Sequence, residues 1–396
     1  MLKNSLIPQL HRNVWLLMFA QALIGSIGPI IVFAGGFIGL KLAPSEALAT
    51  LPVACMIVGI TLFMLPAINT LKRLGRKKGF IFAILLGVMN ALFTSFAISQ
   101  QSFWMFCLSV GLFGFTIATV QQFRFAAMES VDDDKGSSAV SVLLLAGLIS
   151  AFVGPEIAYQ GKDWLSNEFA GSFIGVAVLL LLSIIFVLFY QQIDKHHSEV
   201  QETTRTLKEI IKQPVFKASI ISATVGFSVM SFIMTATPIS MHSHHGFDMA
   251  DTKWVIQSHI IAMYLPSFFT GALIKRFGQA TILYTGIAAL LTCIIVGFAG
   301  QHYVHYWGAL VLLGIGWNFM FITATALLPL SYSSSEKYKV QGFNDLVMFT
   351  CQAIASLSAG LVITSFGWKA MLSMCLPLLA LSGLFIWFWQ KNNNKE

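Results

Sequence analysis

The sequence predicts an all-α integral membrane protein, with twelve transmembrane helices arranged as two pseudo-symmetric six-helix bundles. Three observations carry that expectation. The chain is 56% hydrophobic and only 10% charged, where a soluble domain carries about 25% charged residues. Twelve apolar runs approach or exceed the roughly 20 residues that a bilayer crossing needs. A short basic motif also recurs half a chain later, at the same place relative to those runs.

Orientation follows from residues 71–79, Leu-Lys-Arg-Leu-Gly-Arg-Lys-Lys-Gly, a tight basic loop between two long apolar runs. Such a loop belongs on the cytoplasmic side of the membrane. The first half then reads as spans at 14–40, 47–71, 80–97, 103–128, 138–159 and 170–190. The second half reads as spans at 215–240, 252–274, 280–300, 306–330, 342–365 and 370–390. This assignment puts both termini in the cytoplasm. It leaves Lys41, Lys162, Lys253 and Lys369 outside, so 20 of the 24 Lys and Arg lie on the inner side, a strong positive-inside bias. A bacterial inner membrane is the expected location. Residues 1–13 are short and polar and lead straight into a span, with no signal-peptide cleavage pattern.

The repeat fixes the domain organisation. Lys72-Arg73-Leu74-Gly75 recurs as Lys275-Arg276-Phe277-Gly278, an offset of 203 residues that also carries Gly111 onto Gly314 and Asp133 onto Glu336. The expected units are an N-terminal bundle (1–190), a linker (191–213) and a C-terminal bundle (214–396). The linker mixes charge signs and reads as a short amphipathic helix at the membrane surface. Parallel six-span halves suit a transporter whose site lies between them.

With these features the chain resembles the major facilitator superfamily over essentially its whole length. The family's loop signature, Gly-x-x-x-Asp-x-x-Gly-Arg-Arg/Lys, is matched by Gly75-Arg76-Lys77, with Ile68 and Lys72 at the first Gly and the Asp. The second copy keeps Gly271 and Gly278 and again has a lysine, Lys275, at the acidic position. In the family that acid helps latch the halves on the cytoplasmic side. The resemblance therefore implies a charge-swapped latch. Lys72, with Arg73 and Arg76 beside it, would face Asp345, and Lys275 or Arg276 would face Asp132, Asp133 and Asp134. Of the family's antiporter signature in span five, Gly-x-x-x-Gly-Pro-x-x-Gly-Gly, only Gly154-Pro155 is kept.

Ionisable residues inside spans are costly and mark function by default. Glu156, just after the Pro155 kink near the outer end of span five, and His259 in span eight are the proton-coupling candidates, because each could gain and lose a proton during a cycle. Arg124, toward the inner end of span four, could pair with Glu129 or meet an anionic solute. Polar residues at mid-depth complete the candidate pocket: Gln21, Asn90, Gln121, Thr237, His259, Trp317, Asn318 and Gln352. Spans one, four, seven and ten line the cavity in the resembled family, which favours Gln21, Gln121, Thr237, Trp317 and Asn318.

Other functions find little support. The five cysteines show no paired spacing, so neither a disulfide framework nor a CxxC metal site is implied. His242, His244 and His245 cluster in an outer loop without a carboxylate or thiolate motif, and no metal is expected. No nucleotide-binding motif occurs, and no cofactor is expected. No basic face with interleaved aromatics points to nucleic acid. An embedded enzyme would need paired carboxylates or a His/Glu metal set at mid-depth, and only scattered single groups are present. The sequence therefore points to a monomeric secondary transporter, moving its solute across the membrane by alternating access and coupled to protons. Its solute would be small and organic, like a vitamin, a siderophore or a drug. A multidrug proton antiporter and a non-transporting receptor of the same fold are the alternatives.

Overall fold

The structure is a computed structural model that describes residues 10–132, 136–192 and 205–393. Its first crossing is α1 (Arg12–Gly25) followed by α2 (Ile27–Leu42), interrupted at Ser26. The break has a local cause. Pro29 has no N–H for the Gly25 carbonyl, and the Ser26 hydroxyl donates back to the Ala22 carbonyl at 2.9 Å. Then come α3 (Leu51–Leu74), α4 (Arg76–Ser99) and α5 (Phe103–Val120), continued by the short α6 (Phe123–Glu129). The first half closes with α7 (Gly136–Gly161) and α8 (Ala170–Phe189).

After the surface helix α9 (Leu207–Lys212), the second half opens with α10 (Pro214–Ile239), which runs into a π-helical turn at Ser240–His244. Next, α11 (Met249–Tyr264) and α12 (Ser267–Phe277) form one span bent by 43°. The sequence predicted one span over 252–274 and marked no bend in it. Pro266, which cannot donate to the Ala262 carbonyl, bends it. The half is completed by α13 (Gln279–Ala299), α14 (Tyr303–Leu327) and α15 (Lys337–Asn393).

At about 1.5 Å per residue, α15 would be ~85 Å long if straight, far more than a ~30 Å hydrocarbon core. It turns instead at Gly367, where φ is 77°. Among the described residues there are ten helical stretches long and apolar enough to cross a membrane, and the bent α11–α12 pair makes eleven. Counting the two limbs of α15 separately gives twelve.

The two halves repeat in detail. Gly75 (φ 75°, ψ 163°) and Gly278 (φ 83°, ψ 156°) make the same left-handed turn into α4 and α13. The offset of 203 residues also carries a helix crossing. A Cβ on Gly59 of α3 would lie 2.0 Å from the Gly111 carbonyl oxygen of α5, and a Cβ on Gly314 of α14 would lie 2.9 Å from the Ala262 Cβ of α11. Small residues at these crossings let backbones touch, the main source of helix cohesion where lipid is as apolar as the side chains. Asp133, the expected counterpart of Glu336, lies outside the described residues.

The linker is anchored to both halves. On the first, the Asn13 side chain donates to the Gln191 carbonyl at 2.7 Å and accepts from its N–H at 3.1 Å. On the second, Glu336 accepts from the Arg205 backbone N–H at 2.8 Å and from its guanidinium at 2.7 and 3.0 Å. A capping box of Thr206 and Glu209 starts α9, and Ile210 is buried against Phe216, Leu328 and Val340.

Candidate functional site

The halves meet along a seam that is tight at the end opposite the Lys72–Lys78 loop. There, a Cβ on Gly36 of α2 would lie 3.0 Å from Pro238 of α10, and one on Gly360 of α15 would lie 2.4 Å from the Ala47 carbonyl. Phe37 meets His242 edge-on at 5.0 Å, and Glu46 lies 3.3 Å from His244. Glu156 of α7 pairs with Lys253 of α11 at 2.8 Å. The Lys253 ammonium also lies over the Tyr159 ring at 4.5 Å, and the second Glu156 oxygen accepts from Gln160 at 2.8 Å. Lys253, read from sequence as an outer-loop residue, is a buried member of α11. It went unnoticed because it stands at the very start of the expected 252–274 span and was counted with the outer loop; the helix in fact begins earlier, at Met249, with Asp248 as its cap accepting from the Asp251 N–H at 2.7 Å.

Deeper in the seam, Tyr264 touches both halves. Its ring would lie 2.7 Å from a Cβ on Gly147 of α7, and it meets Trp317 of α14 edge-on at 6.1 Å. Trp317 begins an aromatic wall. It stacks on Phe321 at 5.1 Å and meets Phe227 of α10 at 5.1 Å. Phe227 in turn meets Phe321 at 4.9 Å and Phe349 of α15 at 6.2 Å. The polar rim is Gln352, one turn beyond Phe349, which donates to Ser231, one turn beyond Phe227, at 2.7 Å. Across the seam, Gln21 donates to the Leu143 carbonyl at 3.4 Å, one turn before Gly147 on the same face of α7. Among the sequence-derived candidates, Trp317 and Gln352 thus flank one aromatic cluster, linked through Phe227 and Phe349. Tyr264, Phe227, Phe321 and Ser231 were missed, since aromatic residues are abundant throughout this chain and only the fold gathers these.

Other candidates are committed elsewhere. Asn318 spends its whole amide on α11 and α12, donating to the Met263 carbonyl at 2.6 Å and Ser267 at 2.7 Å and accepting from Thr270 at 2.7 Å. Asn90 ties α4 to α5 through the Ser109 carbonyl at 2.8 Å. Thr237 bonds back to its own helix at Ile233. His259 is fully buried, with Nδ1 on the Leu310 carbonyl at 2.8 Å. Gln121 is an exposed residue at the break between α5 and α6.

On the basic side the pairings differ from those expected. Asp345 meets Arg124 at 3.4 Å rather than Lys72. The break at Gln121–Gln122 turns α6 so that the long guanidinium reaches the start of α15, whereas Lys72 and Arg73 are exposed at the end of α3. Glu129, the partner expected for Arg124, instead accepts through both its carboxylate oxygens from Nε and Nη2 of Arg76. Lys275 and Arg276 are exposed, with the Arg276 guanidinium over the Phe277 ring. Asp132 is exposed, and Asp133 and Asp134 lie outside the described residues. The clustered histidines engage separate partners: His242 the Phe247 carbonyl, His244 Glu46, and His245 the Ser240 carbonyl and Gln301.

Two six-span bundles that meet around a half-polar aromatic seam define the class of membrane transporters built from parallel repeats. The sequence profile of the Major Facilitator Superfamily matches residues 14–250 and 219–396, and the chain belongs to that family. It is 38% identical over 375 residues to a protein named riboflavin transporter RfnT from Brucella anthropi, covering 94% of each chain. It is 28% identical over 406 residues to the uncharacterized MFS-type transporter YdeG of Bacillus subtilis, covering 96% of this chain and 92% of that protein. The multidrug resistance protein MdtL of Shewanella oneidensis is 24% identical over 304 residues, 73% of this chain and 74% of that one. Among solved structures, a bacterial homologue of the human lysosomal transporter Spinster, in an inward-facing and occupied conformation, superposes with a TM-score of 0.72. It has 13% identity, and 96% of each chain is covered. The protein is a secondary transporter of a small solute.

Proposed function

We propose that the solute is a flavin, riboflavin or a close analogue, carried by alternating access across a bacterial inner membrane with both termini in the cytoplasm. The observation that carries this reading is the wall of Trp317, Phe321, Phe227 and Phe349 in the second half, which Tyr264 links to Gly147 of the first. Its flat rings, edged by the Gln352 amide, suit a planar heteroaromatic solute, because aromatic faces stack with rings 4.5–7 Å apart. The relative named as a riboflavin transporter supports the same choice.

Protons drive the cycle through Glu156. A proton on its carboxylate cancels the charge that holds Lys253, and the far side of the seam is then free to part. His259 is the second coupling candidate, its Nδ1 already fixed by the Leu310 carbonyl.

The test is transport by the purified protein in liposomes. Labelled riboflavin should accumulate when a proton gradient is imposed and should stop when a protonophore collapses it. Trp317→Ala should lower the rate at least several-fold. Absence of riboflavin movement in either direction, with or without a gradient, overturns the flavin reading. Movement of many unrelated lipophilic cations instead would establish multidrug efflux, in keeping with the likeness to MdtL.

A further inference from the structure

Two polar atoms on the aromatic wall have no partner: the indole Nε1 of Trp317 and the Oε1 of Gln352. Both side chains are buried, at 4% and 9% exposure. Native structures seldom leave a buried donor and a buried acceptor unmet without a reason. The polar groups that flank these two are met by packing: Asn318, next to Trp317, uses its whole amide, and Ser356, one turn beyond Gln352, meets Thr235 at 3.2 Å.

Their chemistry forms a pattern. The Gln352 amide directs one hydrogen to Ser231, which leaves its second hydrogen as a donor beside the open Oε1 acceptor. The Trp317 Nε1–H supplies another donor, and Trp317 and Phe349 both meet the Phe227 ring. The wall therefore offers two donors and one acceptor. A cyclic imide, carbonyl, N–H, carbonyl, carries the complementary set of two acceptors and one donor.

Building on the flavin reading above, we infer that this rim recognises the imide edge of the solute's ring. Gln352 accepts from the imide N–H and donates to one flanking carbonyl, and Trp317 donates to the other. The pyrimidine ring of an isoalloxazine carries such an edge, and its opposite, dimethylbenzene rim is apolar like the phenylalanines of the wall. Specificity then resides in the ring. An alloxazine without the sugar-alcohol chain should compete for the site, and ribitol alone should not.

The decisive ligand is 3-methylriboflavin, which keeps the ring and the chain but replaces the imide N–H by N–CH₃. Binding of riboflavin and of this analogue is measured by calorimetry on the purified full-length protein and on Gln352→Met and Trp317→Phe. The unaltered protein should prefer riboflavin by about 10- to 100-fold, since a site built around a hydrogen bond rejects the ligand that lacks it. In Gln352→Met riboflavin should weaken and the preference should collapse to within about two-fold. Trp317→Phe should weaken both ligands several-fold and leave the preference in place, because both keep the carbonyl it serves. Equal affinity of the unaltered protein for the two flavins overturns the imide inference while leaving the flavin reading intact. A preference that survives in Gln352→Met overturns it as well, giving the glutamine a packing role only. If the unaltered protein binds neither flavin, both readings fall.

Discussion

Glu156 and Lys253 share an ion pair but not an environment. The lysine side chain is 8% exposed and the glutamate side chain 46%, so the two do not lose equally when the partner is removed. Glu156→Ala leaves a buried ammonium with only aromatic faces for company, and an unmet buried polar group costs about 1–3 kcal/mol. Lys253→Met leaves a carboxylate that water and Gln160 can still satisfy, so its cost should stay near the ~0–1 kcal/mol of an exposed pair. The expected order of melting temperatures in detergent is therefore the unaltered protein, then Lys253→Met, then Glu156→Ala. The double variant should recover much of the loss caused by Glu156→Ala. Equal destabilisation by the two single changes would show that the lysine is not desolvated. Sequence alone singled out Glu156, because a carboxylate beside a proline in an apolar run is conspicuous. It missed Lys253, because a lysine at the start of an expected span reads as a residue of the outer end rather than as a buried partner.

At the scale of the element, glycine and proline decide where spans turn. Gly75, Gly278 and Gly367 all combine a positive φ with an extended ψ, a region that essentially only glycine adopts and that costs other residues about 1–3 kcal/mol. Gly278 has open space around its would-be Cβ, so the backbone penalty alone should be felt there. Gly278→Ala and Gly278→Asn should each lower stability by about 1–3 kcal/mol, measured as the shift in thermal unfolding. No shift with either residue would mean that the turn is not what the glycine protects. The Gly75 and Gly278 turns were legible from the repeated Lys-Arg-x-Gly, as was the existence of nearly every span from its apolar run. The bend at Pro266 was legible in principle but absorbed into an uninterrupted hydrophobic stretch. The crossing of Gly59 with Gly111 was not legible, because one glycine among many carries no sign of which helix it will touch.

At the scale of the whole molecule, the linker joins the second half through a pair that proton gradients should not disturb. Arg205 and the Ser333 N–H hold the Glu336 carboxyl well below the usual carboxylate range. A depressed carboxyl stabilises the fold above its unfolded value near 4.3, and that contribution is lost only as pH falls through the lower folded value. Between about pH 5 and 8 the pair should stay charged throughout. Glu336→Gln should then lower the melting temperature by the same amount at pH 5.5 and 7.5; a loss confined to one of the two would place the titration inside the working range. The orientation itself is checked by single cysteines introduced into a cysteine-free background. Residues 78 and 391 should be shielded from an impermeant maleimide in intact cells, and residues 162 and 369 should react with it. The expected topology rests on lysine and arginine being sorted by side along the chain. The aromatic wall leaves no such mark in the sequence, since its members are scattered over three helices, α10, α14 and α15. The seam opposite the basic loop has one more consequence. At Gly36, Gly147 and Gly360 closure depends on the absence of a side chain, so the closed arrangement can be vetoed by a few added atoms without touching a charge or a ligand contact. Gly147→Leu would then hold the carrier open on the far side, supplying a trapped state against which conformation-specific antibodies could be raised.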